Sequence, residues 1–322
     1  MTCASSDIAP TVTVILVSYN TRDMTLASLR SLYEQTAQTS LKVIVVDNQS
    51  SDGSADAIEA EFGSRLCLIR AASNLGFAAA NNLAAAKAQG EYLLLLNPDT
   101  LVLDGAIDKL VAFAREQPEA RVWGGRTVFA DGSLNPASCW RRITLWGLFC
   151  RATGLTRAFA SSRLCNPEEY GGWQRDSVRH VDIVSGCFLL IEHRLWNALG
   201  GLDSAFFMYG EEADLCLRAR RHGARPQTTP AATIVHYGGA SESVRTEKLV
   251  RLLRAKSMLI KRHLPSWQQP LALGLLAAWP FTRSLWQRRR TTDTPHGKDS
   301  SPAWAAAWRR RADWLRADSK GG

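Results

Sequence analysis

Val12-Thr13-Val14-Ile15-Leu16-Val17, followed at once by Ser18-Tyr19-Asn20, is the stretch on which the fold turns. The run is almost continuously apolar, the pattern of a strand covered on both faces rather than of one half in water. It then stops at a polar cluster. The unit recurs along the N-terminal half: a helical pattern over Met24 to Tyr33, the run Leu41 to Val46 ending in Asp47-Asn48-Gln49-Ser50, a helical pattern over Ser54 to Phe62, and the short run Leu66 to Ile69. Tyr92 to Leu96 ends likewise in Asn97-Pro98-Asp99. Strands alternating with helices predict a parallel α/β sheet. In such sheets ligands bind beyond the carboxyl ends of the strands, so the three polar clusters are expected to converge on one crevice.

Downstream, Asp52-Gly53-Ser54 reads as a turn into a helix, and Gly76 to Lys87 as a helix opened by small residues and closed near Gly90. Between Arg141 and Arg179 the periodicity dissolves into a Gly-, Ser- and Arg-rich stretch with scattered aromatics, expected to be a loop region shaping an acceptor site. A second ordered block follows. It comprises strand-like Val181 to Ile191, helical His193 to Leu199, a loop from Gly200 to Gly210, and a helix over Glu211 to His222 stopped by Gly223.

The chain has 322 residues and a net charge of +9, and 46% of it is hydrophobic, enough for a large core and too little polar bias for a disordered protein. The charge is uneven: from Arg245 to Lys320 there are 17 Lys/Arg against 5 Asp/Glu, and 22 against 25 before that. Trp267, Trp279, Trp286, Trp304, Trp308 and Trp314, six of the eleven tryptophans, lie in the same basic tail. Arg mixed with Trp suits an anionic membrane surface; the plain alternative is a solvated basic tail with a few packed Trp. Pro270 to Phe281 is apolar but short of the roughly 20 residues that a spanning helix needs, and Pro280 interrupts it, so it is expected to lie in the interface rather than to cross. Residues 1–10 carry no signal-peptide pattern. The seven cysteines are odd in number and show no CxxC spacing, so neither a disulfide framework nor a zinc site is suggested, and a reducing cytoplasm fits best.

Three groups of residues could carry chemistry. Asn97 and Asp99 follow a strand two residues apart and can face the same way, and a carboxylate there is a hard oxygen ligand for Mg²⁺ or Mn²⁺, although Asn-Pro-Asp alone is an ordinary turn. Glu211, Glu212 and Asp214 crowd the first turn of a helix, where the dipole explains one acid better than three. Mutual repulsion there favours a raised pKa in one of them, as a general base for an alcohol requires. His236 ends the strand-like Ala232 to Val235 ahead of Tyr237-Gly238-Gly239, a position suited equally to structure or to a metal or phosphate role. No GxxxxGK[ST] loop, no GxGxxG after the first strand, no HExxH, no GxSxG elbow and no nucleic-acid-binding motif is present.

Taken in order, these stretches resemble the family-2 glycosyltransferases of GT-A fold, most closely the bacterial rhamnosyltransferase and galactofuranosyltransferase branch. The resemblance runs from about Thr11 to Ser243. It rests on Val14 to Asn20, Val45 to Ser54, Asn74-Leu75-Gly76-Phe77 with Ala80-Asn81-Asn82, Leu96 to Asp99, Val184-Ser185-Gly186, Phe206 to Leu217, and His236 to Gly239. It implies a Rossmann-like nucleotide-binding mixed sheet flanked by helices, with a basic, Trp-rich helical extension behind it. Ser18, Tyr19, Asn20, Asp47, Asn48, Asn74, Gly76, Phe77, Asn81, Asn97 and Asp99 would line the nucleotide-sugar pocket, with Tyr19 and Asp47 on the base. Asp99 and His236 would hold the Mg²⁺ or Mn²⁺ on the diphosphate, Asn97 standing where Asp-x-Asp has its first acid. Gly186 and Asp214 would lie on the acceptor side, and Glu212, with Glu211 as the alternative, would be the base.

The resemblance further implies an inverting, metal-dependent hexosyltransferase. Its donor would be a dTDP- or UDP-linked sugar, dTDP-rhamnose first, and its acceptor a lipid-linked glycan precursor at the cytoplasmic face of a bacterial membrane, with no nucleic-acid partner. The expected division is a tail over 1–10, a catalytic domain over 11–244 with a nucleotide-sugar half (11–130) and an acceptor half (131–244), a membrane-associating helical extension over 245–290, and a basic tail over 291–322. Two rivals are weighed beside it. A sugar-1-phosphate nucleotidyltransferase would want a Gly-rich, basic loop where Ser18-Tyr19-Asn20-Thr21-Arg22 stands, and a non-catalytic membrane scaffold would be expected to have lost Asp47, Asp99, Glu212 and His236.

Overall fold

The computed structural model describes residues 9–238, 245–290 and 303–316. The boundary expected at 244, Gly239 of the His236 motif, and much of the basic tail fall outside them. In chain order the elements are β1 (Val12–Ser18), α1 (Arg22–Gln35), β2 (Leu41–Asp47), α2 (Ser54–Phe62), β3 (Cys67–Arg70), α3 (Gly76–Ala85), β4 (Tyr92–Leu96), β5 (Thr100–Val102), α4 (Ala106–Glu116), β6 (Val122–Val128) and β7 (Cys139–Trp140). There follow α5 (Leu145–Thr153), α6 (Leu155–Ala158), β8 (Arg179–His180), β9 (Ile183–Val184), β10 (Phe188–Glu192), α7 (His193–Leu199), α8 (Glu211–Arg221) and β11 (Gln227–His236). The helices α9 (Arg245–His263), α10 (Gln269–Arg290), α11 (Ala303–Arg309) and α12 (Arg311–Leu315) close the chain.

The elements form two compact units. One holds the chain up to Trp140 together with Gln174–Phe207 and Glu211 through β11. Its sheet runs β3-β2-β1-β4-β10-β6-β11-β5, with β8 paired to β11, and β7 with β9 forms a separate two-stranded sheet. β3, β2, β1 and β4 are parallel, β10 is antiparallel to both β4 and β6, and β11 returns parallel to β6. Every residue of β1 is buried, as the unbroken apolar run predicts. Val12, Val14 and Leu16 pack with Leu26, Leu29 and Leu32 of α1 and with Ile107 and Leu110 of α4 in one core. Each such aliphatic burial contributes about 1.5–3 kcal/mol. Register then sets the crevice: Ser18 pairs with Asp47, and Leu16 with Leu96, so the polar ends of β1, β2 and β4 stand side by side.

The strand-like run Val181 to Ile191 is not one strand. β9 joins β7, β10 joins the main sheet, and Ser185-Gly186-Cys187 forms the break between them.

The second unit holds Arg141–Trp173, Met208–Gly210 and the helices after 244. Of the stretch Arg141 to Arg179, expected to be a loop region, the part up to Trp173 therefore carries α5 and α6 and belongs with the C-terminal helices, while Gln174 onward belongs to the first unit. Leu148 and Ala152 of α5, Leu253 and Ile260 of α9, Leu276 and Trp279 of α10, and Ala307 and Trp314 form its core. Beside that core Arg151 Nη2 lies 3.1 Å from Glu168 and 3.3 Å from Glu169, while Lys256 Nζ also reaches Glu168.

The tryptophans of the tail divide. Trp279 and Trp314 are buried, Trp304 packs against Trp279 and Trp308 against Phe281, each with ring centres 5.1 Å apart, and only Trp267 and Trp286 are exposed. For Trp279 and Trp314 the packing alternative is what the fold uses. Among the described residues no helix is long and apolar enough to cross a membrane. Cys139, Cys150, Cys165, Cys187 and Cys216 are free thiols, but Cys67 is disulfide-bonded, a pairing not expected from the cysteine spacing.

Candidate active site

The crevice is built from three groups of side chains joined through the backbone. The first lies where β1 and β2 end. Asn20, left-handed at φ 51°, accepts a hydrogen bond from Ser51 N (2.8 Å) through its side chain, and its own N–H donates to Ser50 Oγ (3.0 Å). Short amide side chains tolerate this backbone region best, so the residue type suits the turn. Asp47 is buried. One carboxylate oxygen accepts from Ser50 N (3.1 Å), and the other, Oδ1, has no hydrogen-bond partner among the described residues. A buried carboxylate oxygen left open is costly unless a ligand supplies the donor.

Asn48 and Asn74 form a lock beneath this group. The Asn48 amide donates to Asn74 Oδ1 (3.0 Å) and Gly76 O (3.3 Å) and accepts from Leu75 N (2.9 Å), while Asn74 Oδ1 accepts from Gly76 N (3.0 Å). These amides shape the turn into α3. Gly76 itself has φ 76°, and a Cβ there would stand 2.3 Å from Phe207 O, so only glycine fits. The next N–H, that of Phe77, donates to the same carbonyl at 2.8 Å. Ser18 is turned inward, its hydroxyl 2.9 Å from Thr25 Oγ1, and Asn81 donates to Phe77 O at 2.8 Å. Both hold the start of a helix.

The second group gathers at the ends of β4 and β11. Asp99 and His236 are both largely buried, with Oδ1 3.5 Å from Nε2. Backbone bonds hold them: Tyr237 N donates to Asp99 O (3.0 Å), and Asn135 Nδ2 to His236 O (3.0 Å). Among the described residues His236 Nδ1 and Asn97 Oδ1 are buried without a hydrogen-bond partner. Burial disfavours the imidazolium, but the adjacent Cys187 sulfur and Asp99 carboxylate outweigh it and raise the His236 pKa to about 10.

The third group surrounds Gly186. A Cβ at that position would lie 3.4 Å from the Phe77 ring and 3.7 Å from Glu212 Cβ, so Phe77 and Glu212 approach each other across a glycine. The break between β9 and β10 ties this group to the second, because Asn97 N donates to Cys187 O at 3.2 Å. Glu211, Glu212 and Asp214 do share the first turn of α8. Asp214 is committed elsewhere: its carboxylate takes Arg218 Nε at 2.7 Å, and Arg218 also donates to Leu199 O and Gly201 O at 2.8 Å each.

A sheet of this order, with its polar strand ends gathered on one edge, has known counterparts. The sequence profile described as glycosyl transferase family 2 matches residues 13–181, just over half of the chain. The chain belongs to that family. Its relatives include the O-antigen biosynthesis protein RfbC of Myxococcus xanthus, 27% identical over 72% of this chain, although the chain spans only 18% of RfbC's own length. They also include the N-acetylglucosaminyl-diphospho-decaprenol L-rhamnosyltransferase of Mycobacterium tuberculosis, 27% identical over 83% of this chain and 88% of that protein. Among solved structures, the mannosyltransferase PcManGT of Pyrobaculum calidifontis, in complex with GDP-Man and Mn²⁺, superposes with a TM-score of 0.55 at 20% identity. That match covers 98% of this chain and 85% of that one. The likeness is one of fold, and the fold is the expected GT-A arrangement with a C-terminal helical extension.

Five contributors to the site were not singled out from the sequence. The Phe207 carbonyl fixes α3, Ser50 and Ser51 hold Asn20, Asn135 holds His236, and Cys187 stands beside His236. Phe207 and the two serines lie inside recognised stretches. Asn135 sits where no sequence pattern marks it.

Proposed function

We propose that this family-2 chain is an inverting hexosyltransferase, moving a sugar from a nucleotide sugar, dTDP-rhamnose first and UDP-linked hexoses or galactofuranose next, to a hydroxyl of a lipid-linked glycan precursor. The observation that carries the reading is the sharing of one sheet edge by a buried Asp99–His236 pair and by Glu212, linked through Cys187 and Gly186. The names of the two relatives, an O-antigen biosynthesis protein and a rhamnosyltransferase for a diphospho-decaprenol-linked N-acetylglucosamine, support the donor and acceptor classes.

A divalent ion fits the residues present. Asp99 and His236 offer one carboxylate oxygen and one imidazole nitrogen close enough to share an ion. No cluster of three or more His, Cys, Asp or Glu residues suited to a metal occurs among the described residues. Mg²⁺ and Mn²⁺ commonly take one or two protein ligands and complete the shell with water and substrate phosphates. Bound there, the ion would offset the charge of the departing nucleoside diphosphate.

The protein's own share is positional and acid–base. Asp47, with its open Oδ1, would receive an N–H of the nucleotide base next to Tyr19, and the Asn48–Asn74–Gly76 lock would keep the donor loop in shape. Glu212 would take the proton of the acceptor hydroxyl as its oxygen bonds to the anomeric carbon, while the bond from that carbon to the diphosphate oxygen breaks on the opposite side. One displacement inverts the centre. In this reading the sheet-bearing unit does the chemistry, and the helices after 244 keep the enzyme at the cytoplasmic face of the membrane that carries its acceptor.

Calorimetric titration with dTDP-rhamnose, UDP-galactofuranose, UDP-glucose and UDP-N-acetylglucosamine, in Mn²⁺ and in EDTA, tests the proposal. One donor is expected to bind in a metal-dependent way and to be lost in Asp99→Ala; binding of none of them to the native chain would refute it.

A further inference from the structure

The membrane contact in the reading above was expected from the tryptophans of the tail, yet Trp279 and Trp314 are interior residues of the helical unit. The exposed apolar side chains of that unit lie elsewhere. On α5, Trp146 (45% exposed) and Phe149 stand one turn apart with stacked rings 5.5 Å between centres, while Leu148 and Ala152 of the same helix face the core. On α10, Leu271 (57% exposed), Leu285 and Trp286 (52%) lie outward, while Ala272, Leu276 and Trp279 face inward. Both helices thus carry large apolar side chains outward as well as toward the core. A helix apolar all round belongs in a core or at a lipid boundary.

The two exposed faces meet. The Trp286 ring rests on Gly154, between α5 and α6, where a Cβ would stand 3.4 Å from it. Thr282 Oγ1 donates to Ala152 O at 2.8 Å. Phe159, 56% exposed, caps α6 next to this contact. Basic side chains border the face: Arg157 and Arg163 are exposed beside it, whereas Arg151 is taken up by Glu168 and Glu169 in the interior. Arg283 has a lowered pKa, first through burial and then through the like charges of Arg157 and Arg151. Cations set beside exposed Trp, Phe and Leu match a surface of anionic headgroups over acyl chains.

We infer that the α5–α6 turn and the outer face of α10, through Trp146, Phe149, Phe159, Leu271, Leu285 and Trp286, form the surface by which this protein docks on an anionic phospholipid bilayer. The inference rests on the proposed membrane location and replaces its anchor: the helical pair, rather than Trp279 and Trp314, enters the interface. It needs no spanning helix, since a monotopic face buries apolar side chains only to the headgroup boundary.

The test is flotation of the full chain with phosphatidylcholine vesicles, with and without phosphatidylglycerol, for the native protein, Phe149→Ser/Leu285→Gln, Arg157→Glu and, as a control on the other unit, Phe129→Ser. Circular dichroism and donor titration run on the same samples. The native protein and the control should float with phosphatidylglycerol vesicles; the double variant should partition about tenfold less or worse while keeping its fold, and Arg157→Glu should lose the preference for the anionic lipid. Double-variant binding equal to native, or no native binding to either vesicle, overturns the inference. So does a concentration-dependent dimer by light scattering that the double variant abolishes, which would assign the face to a second copy. Flotation without donor binding would leave this surface standing and remove the glycosyltransferase reading instead.

Discussion

His236 Nε2 lies 3.5 Å from Asp99 Oδ1, and the pair joins the end of β11 to the turn after β4. Burial opposes charging His236, but Cys187 and Asp99 prevail and lift its pKa from 6.5 to about 10. A raised folded-state value means that, in the metal-free protein, protonation of His236 adds stability in full below about pH 6.5 and loses it as the pH rises through about 10. A divalent ion needs the neutral ring and so must expel that proton. Mn²⁺ affinity should therefore rise about tenfold per pH unit between 7 and 8.5, with about one proton released per ion. Calorimetry in buffers of different ionisation enthalpy measures both, and a pH-independent affinity would exclude His236 as a ligand.

The acids of α8 should separate by phenotype. Glu212→Gln is expected to leave donor affinity within a factor of about three while lowering kcat by about 10²–10⁴, the usual worth of a general base. If Glu211→Gln gives that pattern and Glu212→Gln does not, the base is Glu211. Asp214→Asn should act on stability instead, because Arg218 would lose its buried carboxylate while keeping the Leu199 and Gly201 carbonyls. A loss near about 3 kcal/mol in urea unfolding is expected, at the low end for a broken buried pair.

Two glycine substitutions should differ in kind. Gly76→Ala puts a Cβ 2.3 Å from Phe207 O at φ 76°, so the turn must open; about 1–3 kcal/mol of stability and most donor affinity should go together. Gly186→Ala meets Phe77 only at 3.4 Å and should fold normally, but it would narrow the gap between Phe77 and Glu212. Its effect should appear in the KM for the acceptor. Equal thermal shifts in the two variants would contradict this contrast.

Glu168 makes the helical unit sensitive to acid. Burial alone would raise its pKa, but Arg151 and Lys256 overcome that and hold it down to about 2. With a folded value below the unfolded 4.5, the stabilisation is complete above about pH 4.5 and is lost as the pH falls toward 2. Near-ultraviolet circular dichroism of the native chain should show a melting point falling across that window. Glu168→Gln, which leaves Arg151 and Lys256 buried without their shared carboxylate, should be about 3–5 kcal/mol less stable at neutral pH.

The strands of the sheet were legible because both faces are covered: Val12–Ser18, Leu41–Asp47 and Tyr92–Leu96 could be read as apolar runs, and their polar stops marked the crevice. α5 was not. Its outer face carries Trp146 and Phe149 and its inner face Leu148 and Ala152, so no polar stripe reveals the helical period. The tail was ambiguous for the related reason that a Trp among arginines reads the same whether it is exposed, as Trp286 is, or packed against Trp304, as the buried Trp279 is. Among the site residues, side-chain type alone cannot separate an amide that meets a ligand from one that satisfies the backbone. Asn48, Asn74 and Asn81 each bond main-chain groups or one another, whereas Asp47 and Asn97 keep an oxygen open.

The Phe207 carbonyl is held by the first turn of α3 at one point and followed four residues later by Glu211. The strip of chain that leads to Glu211, Glu212 and Asp214 is therefore fastened at its upstream end to the turn into α3, which the proposed function assigns to the donor. In the proposed function, a donor settling against Gly76 would bear on the same tether that leads to the start of α8. On that proposal the donor would act on the position of Glu212 before any acceptor is present, and the kinetic order expected is compulsory, donor first, with the spent nucleotide leaving last.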